Sequence, residues 1–167
     1  MITILNSTHR KEEFRCGKAS LDAYLHKHAR QDLERRMSVC YVLTDNSNND
    51  RIIGYYTISP GSIKRDLIPD AIKKKLGKYD DLPIMILGRL AVDISYHGQG
   101  YGQILLIDAL KNCYEHSKGI GAWAVVVDPL DEDAKKFYLK FDFTLLDSGK
   151  MFLPMQKIEK LLEKHGI

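Results

Sequence analysis

The chain has 167 residues, 44% of them hydrophobic and 28% charged, enough for one domain with a proper core and unlike a disordered segment. Its formal net charge is only +3, which by itself marks no class of partner. No apolar run reaches the roughly 18 residues that cross a bilayer, and Met1 to Asn6 carries no basic stretch leading into an apolar core. A membrane span and a secretory signal are therefore not expected, and a cytoplasmic location is.

Ile2 to Leu5 reads as a first short strand. Ser20 is placed to cap a helix whose positions Leu21, Tyr24, Leu25 and His28 follow the helical 0, 3, 4, 7 spacing, continuing through Ala29 toward Leu33. Two strands follow, Val39–Leu43 and Ile52–Ile58, joined by the turn formers Asp45 to Asp50 as an antiparallel hairpin. Ser59 to Asp81 is more polar and less regular, with a short helix expected after Pro69 and closed by Gly77. Pro83 suits a strand's beginning, and Ile84 to Val92 has the length of one buried strand.

After a glycine-rich loop, Gln103 to Tyr114 is helical, with Gly119 and Gly121 breaking the chain before a strand at Trp123–Val127. Asp131-Glu132-Asp133 opens the next helix, whose stripe is Ala134, Phe137, Tyr138 and Phe141. Phe143–Leu146 and Met151–Leu153 form a hairpin around Asp147 to Lys150, and a short helix ends near Gly166. No repeat or linker interrupts the pattern. A single α/β domain spanning residues 1–167, built on one mixed central sheet flanked by helices, is the expected architecture.

Cys16, Cys40 and Cys113 are odd in number and widely spaced, and Cys40 and Cys113 sit in apolar patterns that suit small buried hydrophobes. No histidine or cysteine spacing suggests a metal site. Lys27, His28, Arg30, Arg35 and Arg36 form one basic group and Lys73, Lys74, Lys75 and Lys78 another. Such groups serve as solvated faces or as contacts to a polyanion such as RNA.

The stretch His97-Gly98-Gln99-Gly100-Tyr101-Gly102 leads from a strand into a helix. A glycine-rich loop there offers unblocked N–H groups at the positive end of the helix dipole, a ready phosphate site. A dinucleotide fingerprint fails because Gln103 follows Gly102 and no acid stands about twenty residues on at a strand end. A mononucleotide P-loop fails for want of a Gly-Lys-Ser/Thr ending.

The same residues resemble the diphosphate clamp of the GCN5-related N-acetyltransferase (GNAT) family, whose central strand ends in Gln/Arg-x-x-Gly-x-Gly/Ala before a helix. Gly100 and Gly102 match the closing glycines, and His97 replaces the usual Gln or Arg. Phe137-Tyr138-Leu139-Lys140-Phe141-Asp142-Phe143 is similar to the family's Phe-Tyr-x-x-x-Gly-Phe, with Asp142 where glycine is common. The resemblance covers almost the whole chain and implies a GNAT fold with a splayed central strand, acetyl-CoA as co-substrate and no metal. It places Leu90, Ala91 and Val92 on the pantetheine arm and His97, Gly98, Gln99, Gly100, Tyr101 and Gly102 on the diphosphate.

A narrower resemblance joins Leu87-Gly88-Arg89-Leu90-Ala91-Val92-Asp93 and Phe14-Arg15-Cys16-Gly17 with Leu21-Asp22-Ala23-Tyr24-Leu25 to the GNAT toxins of bacterial toxin–antitoxin pairs. It implies transfer of acetyl to the α-amine of an aminoacyl-tRNA and a ribbon-helix-helix antitoxin as partner; the oligomeric state stays open, a homodimer being one option. A small amine, peptide or protein lysine as acceptor is the alternative, and a non-catalytic acyl-CoA-binding module is the alternative of another class.

By the family's motif, Tyr138 is the expected general acid, since a phenol is protonated at neutral pH; by pattern alone it reads as a packed core tyrosine. Asp93 and Glu132 lie near the site segments but sit where acids are usually structural. Arg89, polar in an apolar strand, must face either a substrate phosphate or a protein acid.

Overall fold

The computed structural model describes residues 1–167, the side chain of Asn49 excepted. In chain order the strands are β1 (Ile2–Ile4), β2 (Val39–Asp45), β3 (Asn48–Lys64), β4 (Asp81–Val92), β5 (Ala124–Val127), β6 (Thr144–Leu145) and β7 (Met151–Pro154). The helices are α1 (Ala19–Lys27), α2 (Ala29–Glu34), α3 (Asp70–Lys73), α4 (Tyr101–Ile120), α5 (Glu132–Leu139) and α6 (Met155–Lys164). Among the described residues the strands form one seven-stranded sheet in the order β1-β2-β3-β4-β5-β7-β6. β4 and β5 run parallel, and β1–β2, β2–β3, β5–β7 and β6–β7 antiparallel. The sheet is mixed, as expected. Residues 1–59 with 87–109 make one compact unit, and residues 60–86 with 110–167 a second.

In the first unit, Phe14, Tyr24, Leu25 and Ala29 pack on Cys40, Val42, Ile52, Tyr55 and Ala91. Leu25 and Ala29 are fully buried, which is why the apolar stripe of α1 and α2 holds this layer on the sheet; a buried leucine of this kind contributes about 2 kcal/mol. The Tyr55 hydroxyl donates to the Leu21 carbonyl at 2.7 Å, satisfying the one polar atom of a fully buried ring.

Two expectations here are corrected. Ser20 does not cap α1: the helix begins at Ala19 with Lys18 at its N-cap and no side-chain cap bond. Asp22, one turn in, instead accepts from the Cys16 N–H at 2.8 Å. Nor is the helix continuous, because His28 leaves helical geometry at φ −120° and separates α1 from α2.

In the second unit, Ile63, Leu82, Ile84, Ala124, Val126, Leu146 and Phe152 form a core, with Ile72, Leu76 and Trp123 packed against it. β5 pairs with three residues of β4, Ile84↔Ala124, Met85↔Val125 and Ile86↔Val126. The segment expected to be irregular after Ser59 is strand as far as Lys64. Gly61, inside that strand, serves close approach: a Cβ there would stand 2.5 Å from Ile86 Cδ1. Gly119 does not break the chain; it lies within α4, which is closed just after Ile120 by Gly121, at φ +88° with its N–H on the Ser117 carbonyl.

Candidate active site

The end of β4 is pinned before the glycine loop begins. Asp93 is buried; its N–H donates to the Ile53 carbonyl at 2.7 Å, its Oδ2 accepts from the Arg15 N–H at 3.0 Å, and its Oδ1 accepts from the Ser95 N–H at 2.9 Å. The Ile94 N–H returns to the Arg15 carbonyl at 2.8 Å. Both carboxylate oxygens are thus engaged by backbone donors, and Asp93 anchors the loop rather than acting as a base. Glu132 is exposed in the first turn of α5, 3.8 Å from Lys135, an ordinary helix-start acid.

Gly98 and Gly100 take φ +74° and +83°, the left-handed region that side chains resist. A Cβ at either position would meet nothing within 4 Å, so the space in front of both is open. α4 starts at Tyr101, and the N–H groups of its first turn have no partner within a helix. Unobstructed backbone donors at a helix start are what a diphosphate requires. Gln99 and His97 are exposed at this loop, and Tyr101 and Gly102 half-buried.

The one departure from the family's loop pattern has a visible role. His97 Nε2 lies 2.6 Å from the Val92 carbonyl oxygen; a carbonyl only accepts, so this nitrogen carries the proton. The imidazole folds back and occupies the last carbonyl of β4. Leu90 is half-buried and Ala91 buried in the first unit's core. β3 approaches here so closely that a Cβ on Gly54 would lie 2.7 Å from the Ala91 carbonyl oxygen.

Arg89 lies over an aromatic ring rather than against a protein acid. Its guanidinium carbon lies 3.5 Å from the centroid of the Tyr24 ring, and among the described residues it joins no ion pair. The Tyr24 hydroxyl donates to Asp32 Oδ2 at 2.9 Å, and burial together with that bond pushes it up to about 12. The ring's negative face is what attracts the cation there.

Tyr138 lies in the second unit, on α5. The helix is capped by Asp131, whose Oδ1 accepts from the Ala134 N–H at 2.9 Å. The Tyr138 ring is 6% exposed and sits 5.3 Å from Phe137 and from Phe143, centroid to centroid. Among the described residues its hydroxyl makes no hydrogen bond. Burial raises its pKa above the ordinary phenol value, so it stays a protonated donor at neutral pH. Asp142 follows α5 with φ +65°, which accounts for the glycine common at that place in the family's motif. Cys16, Cys40 and Cys113 are buried, and burial pushes their thiols up to about 11, 12 and 12; none is a nucleophile in waiting.

Comparison with known proteins agrees with this geometry. An acetyltransferase (GNAT) domain family model matches residues 36–145. The chain is 33% identical over 140 residues to a tRNA-acetylating toxin of Mycobacterium tuberculosis (strain ATCC 25618 / H37Rv), covering 84% of this chain and 81% of that protein. A crystal structure of a tyrosine-to-phenylalanine mutant of KacT superposes with a TM-score of 0.91 at 30% identity, covering 96% of this chain and 98% of that one. AtaT complexed with acetyl-methionyl-tRNAfMet gives 0.89 at 29% identity, with 97% and 98% covered. The chain belongs to the GNAT acetyltransferase family, and is an acyltransferase.

Sequence reasoning missed Tyr24 as the platform under Arg89, and the hydrogen bond from the Tyr96 hydroxyl to Asp45 Oδ2 beside the loop. Tyr24 reads as a core position of α1, Tyr96 as loop and Asp45 as a turn former. No local signal links residues so far apart in the chain.

Proposed function

We propose that this protein transfers the acetyl group of acetyl-CoA to the α-amine of an aminoacyl-tRNA. The observation that carries the reading is the open, left-handed backbone of Gly98 and Gly100 ahead of α4, a conformation that side chains resist and that leaves the N–H groups exposed to an anion. Its likeness to a tRNA-acetylating toxin and to AtaT with acetyl-methionyl-tRNAfMet supports the acceptor. A cytoplasmic enzyme follows from that substrate; among the described residues no helix is long and apolar enough to cross a membrane. A ribbon-helix-helix antitoxin is the partner this reading implies.

Bound acetyl-CoA supplies a thioester whose carbonyl carbon accepts the amine and whose C–S bond then breaks. The backbone of residues 97–102 holds the diphosphate. Leu90 and Ala91 offer backbone groups to the pantetheine arm; the Val92 carbonyl is already taken by His97. Tyr138 donates its phenolic proton to the departing sulfur and regains one from water, while the amine loses its proton to solvent. No side chain acts as base, which suits the weakly basic α-amine of an aminoacyl ester. Arg89, held over the Tyr24 ring, meets an acceptor phosphate, and Lys27, Arg35, Arg36 and the Lys73 group steer RNA.

Incubation with labelled acetyl-CoA and a total aminoacyl-tRNA pool tests this. Label is expected in the tRNA fraction and is released by mild base that cleaves the aminoacyl ester. Label confined to peptide or protein overturns the acceptor.

A further inference from the structure

The glycine loop is gripped from outside by a pair of side chains. Tyr96, the last residue of the 3-10 turn Ile94–Tyr96, donates its hydroxyl to Asp45 Oδ2 at 2.6 Å. Asp45 ends β2, and its other oxygen accepts from the Ser47 N–H at 2.9 Å and the Ser47 hydroxyl at 2.7 Å. Arg51, on β3, lies 5.3 Å from the Tyr96 ring centroid and donates to Ser95 Oγ at 3.3 Å. Tyr101, the first residue of α4, packs edge-on against Tyr96 with centroids 5.8 Å apart. One ring therefore touches the residue that closes the glycine loop, starting from the residue that precedes it.

Gly98 and Gly100 themselves do none of this, because they have no side chains and no atom stands within 4 Å of their Cβ positions, and His97 ties only the entry of the loop to the Val92 carbonyl. Left alone, two glycines sample many backbone states, and a ligand that needs one of them loses affinity in proportion. The bond from Tyr96 draws the Asp45 carboxyl down to about 2 and raises the tyrosine, so phenol and carboxylate stay matched through neutral pH.

We propose that Tyr96 and Asp45 are positioning residues for the diphosphate of acetyl-CoA, holding the glycine loop in its binding shape from the β2–β3 turn. This rests on the reading of residues 97–102 as the diphosphate site. Tyr96→Phe and Asp45→Ala should each raise the Kd for coenzyme A and the KM for acetyl-CoA about fivefold, with kcat within about twofold of wild type. Asp45→Asn keeps an acceptor oxygen and should restore both constants.

S-acetylpantetheine, which has no diphosphate, separates positioning from general damage: with it, both variants should react at the wild-type rate. Variants that bind coenzyme A within about twofold of wild type, or lose activity equally with S-acetylpantetheine, overturn the assignment alone. Wild-type protein that fails to bind coenzyme A overturns the reading of the loop and this assignment with it.

Discussion

The glycine loop and the end of α5 both need left-handed backbone, and the chain meets the need differently. At the loop, Gly98 and Gly100 take φ +74° and +83° with empty space where a side chain would project. After α5, Asp142 takes φ +65° with its side chain exposed to water. An aspartate tolerates this geometry at a modest cost. Where only conformation is at stake, a short polar residue suffices. Where a ligand must also reach the backbone, only glycine serves both ends.

The largest expected effect lies on the α5 side. Tyr138→Phe keeps the ring contacts with Phe137 and Phe143 but removes the proton donor, so acetyl transfer in single-turnover assays should fall about 100-fold with the fold intact. A loss under about threefold would return Tyr138 to its other reading, a packed core tyrosine. Because burial raises this phenol, the wild-type rate should show no alkaline fall between pH 7 and about 9.5.

Next comes the strand that backs the loop. Gly54→Ala would set a Cβ 2.6 Å from Leu105 Cδ1 and 2.7 Å from the Ala91 carbonyl oxygen. The side chain can swing, the carbonyl cannot, and a loss of about 2 kcal/mol is expected in urea unfolding.

The comparison itself is tested by valine at both left-handed sites. Gly100→Val and Asp142→Val should each lower stability by about 1–2 kcal/mol, yet only Gly100→Val should weaken coenzyme A binding, about tenfold by calorimetry. Equal effects on binding would remove the distinction. The smallest effect is Asp142→Gly, which relieves the strained backbone but frees the unfolded chain; a net gain of about 0.5 kcal/mol is expected, with transfer activity unchanged.

Much of this was legible in the chain because the signals are local. The glycine spacing at 98, 100 and 102, the stripes of α1 and α5, and the hairpin turns depend on neighbours a few residues apart, where periodicity and turn chemistry act. The course of β3 through Pro60-Gly61 was not legible, because a glycine that admits Ile86 looks the same as one that ends a strand. The break at His28 also escaped the pattern, since its apolar stripe continues across it.

What the sequence by itself determined is the set of chemical parts: a strand, a glycine-rich loop, a helix and a phenol in a motif. Their state was decided by tertiary structure, mostly through contacts between residues far apart in the chain. Arg89 takes its orientation from Tyr24, Asp93 spends both oxygens on Arg15 and Ser95, and Tyr96 braces the loop against Asp45. Residue type sets what a group is able to do, and packing selects which neighbour it does it with.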